Sequence, residues 1–550
     1  MPGLNEAFDR IGAALEHHVA NSHAAGAALA VTDHEEILGV AVRGVADAAA
    51  ATAVRPQTRF QIGSISKSFA GIIVLQEVEA GRLDLHASVN TILPWLELPE
   101  PLGPLTLHHL MSHTAGLAIG TEEGPTLNGA LHILRGVPAT TPPGDRFWYS
   151  NDGWKIVGAC LERVTGTPIH DLIHERILGP LGMHASVAAI TDAERADLAV
   201  GYTPMLSDRP PQLRHALVPA NWIVSNTADG SIISDVVDMS AYARLLLARG
   251  DVPGGRGGRV LSDEMFARLI TPVIEFEPSR SYGYGLWEEE VDGHRWVGHT
   301  GGMVGYTAQL ATSPDEGLGV VVLQNGDGDK NEIVRYALAA VRASLAGVAL
   351  PDVWAPPAPT RIPAAPAFVG HYHGDDGREM TVDVEDDGLR VTMGPLSVRL
   401  ERDPLDPDPG DSFLVAHPAL ERFPMEFARD ENGDVTHAFH GETWFRADAY
   451  RGEDPPALDD EQRALVGLYR SNIPWSPVLR IFPRMGRLYV QWPPAAGDPE
   501  GDGPLLPLPD GSFAVGSQRD PRRLHFEGEA DGRAVVAVFN GGRWYRSFES

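Results

Sequence analysis

Gly63-Ser64-Ile65-Ser66-Lys67-Ser68-Phe69 places a serine three residues before one of the only three lysines in a chain of 550 residues. The other two are Lys155 and Lys330, so 41 of the 44 Lys and Arg residues are arginine. Arginine stays protonated in proteins, whereas a lysine withdrawn from water can lose its proton and act as a base. An amine kept at this position points to Ser64 as a nucleophile that Lys67 helps to deprotonate. Apolar Phe69, Ile72, Ile73 and Val78, followed by Gly81, predict a helix running from Ser64 towards Glu79. Residues three apart on a helix share nearly one face, which brings Lys67 within reach of the serine oxygen. The helix start also favours negative charge beside Ser64, and packing against Phe69 would lower the lysine pKa.

Two further sets of polar residues complete the pattern. Tyr149-Ser150-Asn151 lies in Phe147-Trp-Tyr-Ser-Asn-Asp-Gly-Trp154. Tyr149 can pass a proton between nucleophile and leaving group, and Asn151 can hold Lys67 or a substrate amide. The same tripeptide would also serve as an ordinary turn before a helix. Gly298-His299-Thr300-Gly301-Gly302 follows strand-like Arg295-Trp-Val. Its small residues would let a substrate backbone approach, and the Gly302 N–H could join that of Ser64 as an oxyanion hole. His299 would act there as a hydrogen-bond donor or proton relay. The similar His113-Thr114-Ala115-Gly116 follows helical Leu105 to Ser112 and reads as a helix terminator.

Ser-x-x-Lys, Tyr-x-Asn and His-Thr-Gly in this order, about 85 and 150 residues apart, resemble the penicillin-recognising serine hydrolases. That superfamily comprises class C β-lactamases, DD-peptidases, related esterases and D-aminopeptidases. Leu107-His-His-Leu-Met-Ser-His-Thr-Ala-Gly-Leu117, Leu178-Gly-Pro-Leu-Gly-Met183 and Tyr282-Gly-Tyr-Gly-Leu-Trp287 look like the same family, so the resemblance covers about residues 5 to 345. It implies an acylated Ser64, an acid–base pair of Lys67 and Tyr149, and substrate contacts at Asn151, His299, Thr300 and Gly301. Drug-resistance β-lactamases and most DD-peptidases carry lysine where this chain has His299. A mostly neutral histidine weakens carboxylate anchoring, which argues against a dedicated β-lactamase. The expectation is a serine acyl hydrolase acting on small amides or peptides, including D-residues, with short-chain esters or a slowly deacylating receptor as alternatives.

A Pro-rich stretch from Pro351 to Pro366 reads as a stiff linker. Residues 1–350 would form an α/β (α+β) β-lactamase/transpeptidase-like domain, its antiparallel sheet built from strands at both ends around a helical region. Beyond the linker the sequence repeats itself. Phe368-Val-Gly-His-Tyr372 matches Leu465-Val-Gly-Leu-Tyr469, and Phe439-His-Gly-Glu-Thr-Trp-Phe-Arg446 matches Phe539-Asn-Gly-Gly-Arg-Trp-Tyr-Arg546. Two antiparallel barrel-like units, 367–450 and 460–550, are expected. The three-domain plan looks like that of the D-aminopeptidases, in which a barrel loop shapes the active-site mouth. Asp403 to Asp411 and Pro493 to Gly503 are long enough for that part.

A net charge of −30 speaks against nucleic acid or an anionic membrane as partner. Cys160 is the only cysteine, which excludes an intrachain disulfide. No stretch approaches the ~18 apolar residues of a membrane span. Met1 to Ala20 reads as an amphipathic helix rather than a secretory leader, which predicts a cytoplasmic location. No cofactor is implied: His-Glu-x-x-His is absent, so no catalytic zinc is expected. Asp327-Gly-Asp-Lys-Asn331 has Glu332 where a calcium loop needs glycine, and reads as a solvated turn.

Overall fold

The computed structural model describes residues 3–97, 103–117, 141–254, 258–404, 410–448, 450–452, 454–492, 503–517 and 522–548. These group into two compact units. The first holds Met1–Thr203, Val218–Ala355 and Asn540–Gly542, and the second Pro204–Leu217, Pro356–Phe539 and Arg543–Ser550.

The first unit begins with helix α1 (Leu4–Ala20) and strands β1 (His23–Thr32), β2 (Ile37–Asp47) and β3 (Thr52–Ala53). Two short pairs follow: β4 (Phe60–Gln61) with β7 (Ile233–Ser234), and β5 (Tyr202–Pro204) with β6 (Leu217–Pro219). The late strands are β8 (Ile274–Glu277), β9 (Arg280–Tyr282), β10 (Trp287–Val291), β11 (His294–Met303), β12 (Tyr306–Ser313) and β13 (Leu318–Asp327). One nine-stranded sheet runs in the order β3-β2-β1-β13-β12-β11-β10-β9-β8, with β1 antiparallel to β13 and Leu29 opposite Val322. The early hairpin and the late strands therefore do join around an internal helical region. The sheet's apolar face carries Leu29, Val31, Val320 and Val322. It is covered by Ile11 and Leu15 of α1 and by Val334, Leu338 and Val341 of the C-terminal helix Asn331–Ala346.

Between the two halves of the sheet lie α2 (Ser66–Glu79), α3 (Leu107–Met111), α4 (Asn151–Thr165) and α5 (Val236–Leu247). The spacing in the sequence suggested one apolar face on α2, yet the helix is buried on nearly every side, from Ser66 to Leu75 and again at Glu77. Its polar residues must therefore find partners inside. Ser68 accepts a hydrogen bond from the Tyr242 hydroxyl at 2.7 Å, while Glu77 takes Arg82 and Arg176. The third motif is placed differently from expectation. Instead of following a short strand, His299 to Gly302 lie inside β11, paired along their length with β12. The Asp327–Asn331 turn is solvated only in part: Asn331 is exposed, but Lys330 is buried and its Nζ donates to the Gly328 carbonyl at 2.7 Å.

In the second unit, β14 (Gly370–Gly374) to β21 (Thr443–Ala447) close one barrel, and β22 (Gly467–Arg470) to β29 (Gly542–Arg546) close another. The repeated motifs are the closing strands. Tyr372 in β14 pairs with Ala447 in β21, and Tyr469 in β22 pairs with Arg546 in β29. Each buried tyrosine also donates to the carbonyl four residues earlier, Tyr372 to Phe368 and Tyr469 to Leu465, both at 2.7 Å. The tyrosine is the buried residue of the strand that starts each barrel, and its hydroxyl ties the preceding turn to that strand. Residues 405–409 and 493–502, the central parts of the two long loops singled out in the sequence, lie outside the described residues.

Tyr372→Phe and Tyr469→Phe each delete one of these bonds and leave a carbonyl without that donor, and Tyr469→Phe also removes the acceptor of a 2.6 Å bond from Arg546. Each variant should lose about 0.5–1.5 kcal/mol of stability, read as a lower denaturant midpoint with an unchanged slope.

Candidate active site

Ser64 sits in a 3-10 turn (Gly63–Ile65) that runs directly into α2, so Lys67 follows one turn later on the same side. Ser64 is partly exposed, whereas Lys67 is fully buried. Lys67 Nζ lies 2.8 Å from each of three oxygens: Ser64 Oγ, Asn151 Oδ1 and the Asp229 carbonyl. Three acceptors suit the three N–H groups of an ammonium. They also suit the neutral amine in one orientation. A carbonyl and an amide oxygen can only accept, so the two remaining N–H bonds point to Asn151 and Asp229 and the lone pair faces the Ser64 hydroxyl. Burial drives the Lys67 pKa down to about 7, although the charge of Asp229 pulls the other way.

The elements holding these groups come from distant parts of the sequence. Asn151 is the first residue of α4, whose cap is Ser150, its hydroxyl accepting from Gly153 N–H at 3.1 Å. The tripeptide is thus a helix cap and a site element together, because capping fixes the backbone from which Tyr149 and Asn151 project. Asp229 is brought in by the β4–β7 pair and by Ile62 N–H donating to Ile232. Tyr149 is hydrogen bonded with Ser64, and its ring lies 4.9 Å from Lys67 Nζ. Burial pushes the Tyr149 pKa far up, so at neutral pH it is a phenol, not a phenolate.

Strand β11 forms the opposite wall. A Cβ on Gly63, whose φ is +52°, would lie 2.6 Å from the Gly302 nitrogen. A Cβ on Gly301 would lie 1.9 Å from the Ile62 carbonyl oxygen. Glycine at 301 is therefore required by the chain's own backbone beside Ser64. Thr300 and Gly302 are exposed on the strand. His299 departs from expectation, for it is buried and both ring nitrogens are engaged within the protein. Nδ1 meets the Thr300 carbonyl, which can only accept, so Nδ1 carries the proton. Nε2 then accepts from the Tyr282 hydroxyl at 2.8 Å. Desolvation lowers the His299 pKa to about 3, so the ring is neutral and offers neither a cation nor a free N–H to a substrate.

Three contributors carried no site role in the sequence reading: Asp229, Tyr282 and His113. His113 does end α3, in a left-handed conformation with φ +58°, as a terminator should. Its ring also stacks on Tyr149 at 4.1 Å, and Nδ1 accepts from the Ser150 N–H at 2.8 Å. One residue thus braces the tyrosine and the cap of α4. No spacing rule marks it, because the contact joins residues 37 apart.

Comparison with known proteins agrees with this geometry. A buried lysine on a serine at the start of a central helix, flanked by an antiparallel sheet, defines a serine hydrolase. A family model described as Beta-lactamase matches residues 11–344, more than half of the chain, and the chain belongs to that family. Penicillin-binding protein 4 of Amycolatopsis lactamdurans is 31% identical over 391 residues, covering 68% of this chain and 97% of that protein. A D-aminopeptidase of Cereibacter sphaeroides is 29% identical over 327 residues, 57% of this chain and 59% of the relative, so the match spans less than two thirds of that enzyme. Among solved structures, the octameric penicillin-binding protein homologue from Pyrococcus abyssi superposes with a TM-score of 0.58 at 24% identity, covering 80% of this chain and 99% of that one. That likeness concerns the fold.

His113→Phe keeps an aromatic ring against Tyr149 but leaves the buried Ser150 N–H without its acceptor. The variant should be destabilised by about 1–3 kcal/mol, visible as a lower melting temperature. Gly301→Ala forces β11 from the Ile62 carbonyl and should lose about 1–3 kcal/mol as well, with turnover falling further than stability.

Proposed function

We propose that the protein hydrolyses amides of small peptides or amino acids, D-residues included, through an ester of the substrate acyl group with Ser64. The observation that carries this reading is the 2.8 Å contact between Ser64 Oγ and a fully buried Lys67 Nζ whose pKa falls to about 7. Neutral Lys67 takes the Ser64 proton as Oγ attacks the carbonyl carbon. The N–H groups of Ser64 and Gly302 hold the resulting oxyanion. Collapse breaks the C–N bond, and the leaving amine takes a proton from the Tyr149 hydroxyl, which is restored from the lysine ammonium. Water then enters where the amine left. It gives one proton back along the same route, attacks the ester and releases the acid with Ser64 protonated again. Relatives named D-aminopeptidase and penicillin-binding protein support an acyl-transfer role. Neutral His299 supports substrates without an anchoring carboxylate. Thr300, exposed on β11, and Asn151 bind the amide backbone.

Ser64→Ala should remove turnover of aminoacyl p-nitroanilides and p-nitrophenyl esters while leaving the thermal transition in place. Appreciable residual activity would refute the nucleophile. Lys67→Arg should lose about 10³-fold or more in kcat, since arginine keeps the charge but cannot take the proton. A base with a pKa near 7 must be unprotonated to work, so kcat/KM should rise with pH through about 7 and level off above it. A profile flat from pH 5 to 9 would exclude Lys67 as the base. A stable Ser64 adduct without turnover, seen by intact mass, would mark a binding protein instead.

A further inference from the structure

The Asp229 carboxylate has no part in the steps above, although its backbone does. Its carbonyl accepts from Lys67 Nζ at 2.8 Å, and Nζ is itself 2.8 Å from the nucleophilic oxygen. The side chain that leaves this backbone has one oxygen, Oδ1, buried with no hydrogen-bond donor, while the residue as a whole is only partly buried. A buried acceptor without a donor costs about 1–3 kcal/mol, and such a group calls for a physical explanation. The other carboxylate near the site, Asp152, is spoken for by Lys155 at 2.9 Å. Among the described residues, Asp229 is the carboxylate whose charge bears on Lys67, and that charge also reaches Tyr149.

We propose that Asp229 is a specificity-determining residue that pairs with the ammonium group of a substrate bearing a free amine next to the scissile carbonyl. This rests on the acyl-transfer reading for Ser64. The placement agrees: an α-amino group lies two bonds from the carbonyl carbon that Ser64 attacks, and the backbone carbonyl of Asp229, from which the carboxylate branches, lies one bridging amine from Ser64 Oγ. The charge agrees as well. An ammonium on Asp229 cancels the field that holds a proton on Lys67, so substrates with a free amine favour the basic form of the lysine. An acylated or absent amine leaves Asp229 unpaired as the site closes over substrate, which penalises that substrate. Discrimination thus comes from a carboxylate that blocked substrates leave unpaired.

The test compares alanine p-nitroanilide with its N-acetyl counterpart, in each enantiomer, for the wild type and Asp229→Asn. The wild type should prefer the free amine, and the ratio of the two kcat/KM values should fall at least about tenfold in the variant, mainly through KM. Equal losses on both substrates would mean that Asp229 acts only through Lys67 and would overturn the proposal. So would an unchanged ratio. A binding arm does not depend on turnover. Calorimetry at pH 7 should show alaninamide binding to Ser64→Ala and weakening about tenfold or more in Ser64→Ala/Asp229→Asn, while N-acetylalaninamide is indifferent to the second change. Absence of that difference overturns the ammonium site. If binding behaves as expected but the wild type shows no Ser64-dependent turnover, the acyl-transfer reading fails and the ammonium site stands.

Discussion

Burying Lys67 is the constraint on which the site depends. An amine removed from water must have its hydrogen-bonding groups matched, or its burial opposes folding. Matching it here takes the turn at Ser64, the first residue of α4 and a carbonyl just before β7. The short β4–β7 pair, the Ser150 cap and the near contact of Gly63 with Gly302 each fix one of the pieces. The same arrangement weakens the amine's hold on its proton. Desolvation brings its pKa to about 7, and two oxygens that only accept turn its lone pair to the serine. Structure and chemistry at this point are one requirement.

The wall behind the site consists of neutral aromatic and imidazole groups. His113 stacks on Tyr149, Tyr282 donates to His299, and both histidines are driven towards their uncharged forms by burial. A cation there would repel the protonated lysine and the lysine would repel it. Neutral rings instead hold Tyr149 in place without charge competition. The anionic group whose charge bears on Lys67 is Asp229.

The rarity of lysine in this chain goes with burial. All three lysines are buried, Lys155 against Asp152 and Lys330 against the Gly328 carbonyl. Rarity therefore marks lysines enclosed by the fold, and the spacing from Ser64 is what sets Lys67 apart from the other two. The barrels were easier to read. Their repeated Tyr and Trp motifs are the strands that close each sheet, so a periodic packing need left a periodic trace in the sequence. The surroundings of His299 were not legible for the opposite reason. A strand residue's function depends on which face it presents, and β11 turns this ring inward onto Tyr282.

The sequence by itself determined the chemistry that is local: a serine and lysine one helical turn apart, a capping serine flanked by Tyr149 and Asn151, a glycine-rich strand, and two copies of a barrel. Each is set by residues near one another in the chain, through helical pitch, cap geometry or strand alternation. Only the tertiary structure decided which groups surround the lysine, that Gly301 makes room for the Ile62 carbonyl, and that His113 and Asp229 belong to the site. Those contacts join residues from 37 to 239 positions apart. No local rule reaches that far, because burial and the partners it demands exist only once the chain has closed on itself.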